Sequence, residues 1–166
     1  IDRTRAKAAQ LVHGRAEDIA FAINAATPLS LLMGGVNWKA GDRIVTLTNE
    51  FPNQIYYAAL LRETGVEFVE AEWPEFFDAI TPNTRAVLLS QVSYSTGFRP
   101  PLEQIGPYLK ERNILFYVDA TQALGALTLN VQLVQPSMLA ASSSSSGMAS
   151  KKPFIIQMKI GSRKPV

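Results

Sequence analysis

Cysteine is absent from the 166 residues, which rules out a disulfide framework and a Cys-rich zinc site. The single histidine, His13, cannot build a histidine cluster, and its polar setting before the first apolar run points to the surface. No run is long and apolar enough to cross a bilayer, and no secretory signal opens the chain, so a cytoplasmic protein without membrane contact is expected. There is no G-x-G-x-x-G and no G-x-x-x-x-G-K-[ST], which excludes the two common nucleotide fingerprints. Charge is unevenly distributed along the chain. Residues 141–166 carry five of the 16 basic residues and none of the 14 acids, so the alkaline pI of about 9.0 belongs to the tail. The preceding body is net acidic, which argues against a nucleic-acid-binding surface.

What is present is a globular composition, 47% hydrophobic, in a chain long enough for one domain with a real core. The most informative stretch is Asn113 to Gly125. Ile114 to Val118 is β-branched and aromatic with no clean alternation, the pattern of a strand buried on both faces of a parallel sheet. It ends on Asp119, a carboxylate at a strand's carboxyl end, where open α/β sheets place their ligands. Gln122 follows three residues later. The alternative reading is that Asp119 caps a helix start.

Further strands are expected at Ile19–Ile23, Arg43–Thr48, Glu67–Glu72 and Arg85–Gln91, the third with alternating acids and therefore edge-like. Helices are expected at Ile1–Leu11, from Thr27-Pro28 to Gly34-Gly35 with the Thr27 hydroxyl as cap, at Gln54–Thr64, briefly within Trp73–Ile80, and at Leu102–Arg112. Alternation of strands and helices gives parallel βαβ units. The strand leading into the helix at Thr27 offers free N–H groups and a positive dipole end, a natural phosphate seat, although an ordinary capped helix looks the same in sequence.

V-D-A-T-Q-A-L-G at Val118–Gly125, N-W-K-A-G-D at Asn37–Asp42 and V-S-Y-S-T-G at Val92–Gly97 together resemble the class V aminotransferases, a pyridoxal-phosphate family that includes cysteine desulfurases, selenocysteine lyases and kynureninase-like enzymes. The resemblance covers roughly Ala16 to Ser142. It implies a three-layer α/β/α fold with a mostly parallel sheet, part of the large domain of a fold-type I pyridoxal-phosphate transferase. It implies that Asp119 pairs with the protonated pyridine nitrogen and that Gln122 bonds the ring's phenolic oxygen. Ala25, Ala26 and Thr27 fall on the phosphate-binding positions, with Thr27 in place of the hydroxyl usual at Ala26. Phe51 falls on the ring-stacking position; it can stack but cannot exchange a proton, and by itself a Phe is more often a core residue. Thr96 belongs to the same implied cofactor set. Tyr94 stands where Asn is common.

The pattern then breaks. Relatives carry S-x-x-K, whose Lys forms the Schiff base. Here Ser142 matches the family Ser, which helps hold phosphate, while Ser145 falls on the lysine position, and a hydroxyl cannot form an imine. Lys151 and Lys152 follow in unrelated sequence. Residues 1–141 therefore read as a partial large domain. Residues 142–166 read as a Ser-rich linker and basic tail, poorly ordered apart from one strand near Phe154–Ile160. The absent starting Met and the lost lysine read as a chain cut from something longer. The resemblance implies an amino-acid substrate, a homodimer and desulfurase, lyase, epimerase or transaminase chemistry in intact relatives. The alternative is a non-catalytic remnant or helper subunit without covalent cofactor attachment.

Overall fold

Strand β5 (Leu115–Asp119) lies inside the sheet, buried along all but its first residue, with β4 (Thr84–Ser90) on one side and β6 (Met138–Ala141) on the other. The structure, a computed structural model, describes residues 1–142 and, as backbone, 154–158. Seven strands form one sheet in the order β1-β7-β6-β5-β4-β2-β3, with β1 at Ile19–Ala22, β2 at Arg43–Leu47, β3 at Glu67–Ala71 and β7 at Phe154–Met158. Strands β2 to β6 pair in parallel, and β7 runs antiparallel to both β1 and β6. Strand β1 therefore points the same way as β2 to β6, and the carboxyl ends of all six share one edge. The strand expected within the tail is present as β7, and the acid-rich β3 does lie at the sheet's edge.

Side-chain alternation divides the interior into two layers. On one face α2 (Ala26–Gly34) and α3 (Pro52–Leu60) cover Ile44, Leu88, Tyr117 and Ala140 with Leu29, Met33 and Ala58. On the other, α1 (Asp2–Leu11), α4 (Leu102–Glu111) and the short α5 (Val131–Val134) cover Val45, Val87, Phe116, Val118 and Leu139. This is the expected three-layer arrangement. Helix α4 lies backbone-close to α5 at Gly106, where a Cβ would collide with the Val134 carbonyl.

Several boundaries differ from expectation. Strand β1 stops at Ala22, and Ile23 is 85% exposed. Helix α3 starts at Pro52, whose fixed φ suits a first turn, and gives way after Leu60 to a 3-10 turn. That turn ends at Gly65, where φ is +83° and the backbone packs on Ala40. The Trp73–Ile80 segment holds only a 3-10 turn, Glu75–Phe77, because its buried Phe76 and the rings of Trp73 and Phe77 pack on one another instead of lining one helical face. Thr27 does not cap α2. Asn24 Oδ1 accepts from both the Thr27 N–H (2.9 Å) and the Thr27 hydroxyl (3.0 Å), so the amide does the capping.

Candidate functional site

Asp119 ends β5 with 6% of its surface exposed. It alternates in register with Tyr117, so its side chain belongs to the α2/α3 face of the sheet. One carboxylate oxygen accepts the Thr121 N–H at 2.9 Å, and a turn follows, not a helix; the helix-cap reading of Asp119 is therefore corrected. Thr121 Oγ1 in turn accepts the Ser142 N–H at 3.1 Å, which brings the end of β6 to the same turn. Burial lifts the Asp119 carboxyl above the ordinary aspartate range, and the hydrogen bonds from Thr121 pull it part of the way back. Gln122 is exposed on this turn.

One strand away, Ser90 at the end of β4 sits opposite Asp119 in register. Its N–H and hydroxyl both donate to the Glu50 carboxylate, at 2.7 and 2.6 Å. Gln54 Nε2 donates to Glu50 at 3.2 Å and to Ser90 Oγ at 3.0 Å. Glu50 is 4% exposed and Gln54 fully buried. Burial raises the Glu50 carboxyl; its bonds from Ser90 and Phe51 oppose that, and the nearby Asp119 charge pushes it further up. The Tyr117 hydroxyl is buried with no hydrogen-bond partner among the described residues, and burial, Asp119 and Glu50 together hold its pKa well above the usual tyrosine value.

Asn49, in the left-handed region at φ +60°, turns the chain between β2 and Glu50. Phe51, next in sequence, is 44% exposed, so it is a rim residue and the core reading of it is corrected. Its ring and that of Tyr94 form an edge-to-face pair, with centroids 5.5 Å apart and planes at 87°. Ser95 Oγ donates to the Asn49 carbonyl, joining the two loops. Thr96 is engaged in its own turn: its N–H donates to Ser93 Oγ, and its hydroxyl accepts the Phe98 N–H.

The other end of the arrangement is the start of α2. Ala25, Ala26 and Thr27 are half-buried there. Of the first-turn N–H groups that a helix leaves without intrahelical partners, Asn24 takes that of Thr27, and Pro28 has none. The amides of Ala25 and Ala26 remain. Helix α2 lies on the Asp119 face, and its start shares the sheet edge with Asp119, with β7 and β6 between. Three strand steps at ~4.8 Å put about 14 Å between the two strand axes, room for a ring with a phosphate arm. Among the described residues no cluster of acids and histidine is arranged to hold a metal ion. Ser145, Lys151 and Lys152 lie outside the described residues.

The sequence pattern missed Glu50, Ser90, Gln54 and Asn24. The available signal was position: Glu50 lies just past the end of buried β2, at the same edge as Asp119, and directly precedes Phe51.

A mostly parallel sheet with helices on both faces and a buried acid at its carboxyl edge is the large-domain architecture of fold-type I pyridoxal-phosphate enzymes, here in part. The aminotransferase class-V family model matches residues 1–145, and the chain belongs to that family. It is 29% identical over 154 residues to a cysteine desulfurase IscS from Glaesserella parasuis, covering 86% of this chain and 38% of that protein. It is 28% identical over 140 residues to an uncharacterised Schizosaccharomyces pombe protein, covering 79% of this chain and 32% of the relative. The chain thus spans 32% and 38% of the length of these two curated relatives. The solved structure of a cysteine desulfurase from Thermococcus onnurineus superposes with a TM-score of 0.85 at 22% identity, covering 96% of this chain and 42% of that one. A C-DES variant with glycine covalently linked to its PLP cofactor gives a TM-score of 0.82 at 19% identity, covering 95% and 45%. No helix among the described residues is long and apolar enough to cross a membrane.

Proposed function

We propose that this chain forms the cofactor-holding part of a pyridoxal-phosphate enzyme acting on an amino-acid substrate, of the desulfurase, lyase, epimerase or transaminase kind. The observation that carries this reading is a buried acid, Asp119, on the same sheet edge and the same face as the uncommitted first-turn amides of α2. The residues fit the group. A buried carboxylate whose donors among the described residues come from Thr121 keeps acceptor capacity for a cationic ring nitrogen. The half-exposed Phe51 offers a flat face to the ring, and the Ala25 and Ala26 amides offer donors to a phosphate. The phosphate end is the thinner of the two, since Asn24 and Pro28 remove two donors.

Bound there, pyridoxal phosphate supplies an electron-accepting ring that delocalises charge developing beside the amino-acid nitrogen. The chain's own residues do the rest. Asp119 holds the proton on the ring nitrogen; Thr121 fixes the orientation of Asp119; Phe51 covers one ring face and keeps water from it. Gln122, Thr96 and Ser142 complete the set on the family pattern, with Gln122 toward the ring's phenolic oxygen and Ser142 toward the phosphate. A homodimer is part of this reading. The test is equilibrium dialysis of pyridoxal phosphate against the full chain. Saturable binding that Asp119→Ala abolishes supports the assignment; no binding by the parent chain ends it.

A second reading, a binding-only remnant or helper subunit, is favoured by one feature, the serine at the family's lysine position, Ser145. Borohydride reduction of the loaded chain followed by peptide mapping separates the two. A reduced lysine adduct supports turnover by this chain, and its absence supports the remnant. Co-purification with an intact homologue identifies a helper.

A further inference from the structure

We propose that Glu50 is a positioning residue that acts through Phe51: its carboxyl pins the 49–51 turn to the end of β4, one strand from Asp119. This rests on the cofactor reading above for its consequence, but not for its geometry. The Glu50 carboxylate is the acceptor that joins the 49–51 turn to the end of β4, and Gln54 braces it by donating to both Glu50 and Ser90. It accepts the Ser90 N–H and hydroxyl at 2.7 and 2.6 Å, the Gln54 amide at 3.2 Å and the Phe51 N–H at 3.3 Å. Ser90 is the register partner of Asp119 on β4. One buried carboxyl thus sets where the ring-facing aromatic stands relative to the acid that meets the ring nitrogen.

The left-handed Asn49 explains why a clamp is needed. A non-glycine residue at φ +60° is held there by its surroundings, and among the described residues Tyr94 is the one aromatic ring paired with the exposed Phe51 ring. Without Glu50, nothing in the described bonding ties the Phe51 N–H to the sheet. The charged and titratable groups around Glu50 are Asp119 on β5, the Tyr117 hydroxyl and, across the small cleft at the ends of β2 and β4, Glu72. All are acidic or neutral, so none of them favours the charged form of Glu50, and a glutamine has the same shape without the charge. Gln54, whose Oε1 is buried without a partner among the described residues, can turn its amide over to accept from it.

The experiment uses the full chain, with Glu50→Ala, Glu50→Gln, Phe51→Ala and the double variant Glu50→Ala/Phe51→Ala. Amide exchange at Phe51 and Ser90 is first measured without cofactor. Glu50→Ala should speed it about tenfold or more, and Glu50→Gln should stay within ~3-fold of the parent. Pyridoxal-phosphate affinity is then read by dialysis. Glu50→Ala and Phe51→Ala should each weaken it roughly tenfold, and the double variant should be no weaker than Phe51→Ala within ~3-fold, because the two act in series. Additive losses, or a Glu50→Gln as damaged as Glu50→Ala, overturn the proposal; so does parent-like exchange in Glu50→Ala. If Glu50→Ala does not fold, Glu50→Asp carries the same test, since the chain shortened by one methylene cannot bridge to Ser90. A parent chain that binds no cofactor defeats the proposed function, while the exchange rates still decide the clamp.

Discussion

The two ends of the candidate site are built on opposite principles. At the ring end, Asp119, Glu50, Ser90 and Gln54 are all buried and bonded to one another or to the adjoining turn. At the phosphate end, Ala25, Ala26 and Thr27 sit at the start of a nine-residue helix next to an edge strand, and the nearest amide, Asn24, caps the helix itself. A buried polar network is costly unless satisfied, so it holds one geometry firmly. A half-buried helix start works through backbone groups that solvent can also satisfy. On the proposed reading, the comparison teaches that the acid is prebuilt and the phosphate is left to generic backbone chemistry.

The largest effect should therefore come from the buried end. Asp119→Asn should weaken pyridoxal-phosphate binding by about tenfold to a hundredfold, the range for losing a close charged partner in a shielded site. The same change should raise the melting temperature of the cofactor-free chain at neutral pH, because burial has lifted this carboxyl and its ionised form opposes folding. A variant that binds poorly and also melts lower would mark Asp119 as a structural residue.

The next effect concerns Glu50 and pH. Its folded pKa is raised, so the stability it contributes is complete below the ordinary glutamate range and is lost as pH rises through the folded value. Glu50→Gln cannot ionise. The stability gap in its favour should open as pH climbs from about 4 to 8, by ~1 kcal/mol or roughly 2–4 °C in melting temperature. A gap that stays flat across that range would show that Glu50 keeps its charge without penalty.

These two ends also differ in how legible they were. Asp119 could be placed from sequence because a buried strand with no alternation announces its own end, and the residue after it sits at the ligand edge. The parallel βαβ units followed from the alternation of strand and helix patterns, while the three-layer fold came from the family resemblance. Glu50 was passed over because its role depends on Ser90, 40 residues later, and no local pattern reports a cross-strand register. Thr27 was misjudged because Ser, Thr and Asn are near-equal caps, and only backbone geometry decides that Asn24 reaches the amide first. Strand β6 is not among the strands expected from sequence, since Met138–Ala141 is too short to show a period.

At the phosphate end, Asn24→Ala should remove the cap of α2 and cost about 1 kcal/mol of stability, read from the urea midpoint. It also frees the Thr27 N–H as a phosphate donor. Pyridoxal-phosphate affinity should hold or improve once the lower stability is allowed for. An affinity loss as large as that of Asp119→Asn would mean that the two ends are equally prebuilt, and the contrast between them would fail.

The smallest effect belongs to Tyr94→Phe. Tyr94 is 51% exposed, and its contribution at the site is the ring edge it presents to Phe51. Among the described residues its hydroxyl makes no hydrogen bond, so removing the oxygen leaves the edge-to-face contact in place. Affinity should stay within about twofold of the parent, well inside the ~0.5–1.5 kcal/mol that such an aromatic pair contributes as a whole. Tyr94→Ala, which deletes the ring, should lose that larger amount through a less well-held Phe51. If Tyr94→Phe instead weakens binding as much as Asp119→Asn, then the hydroxyl touches the ligand directly, and the ring lies against the Tyr94 loop and not over the buried acid.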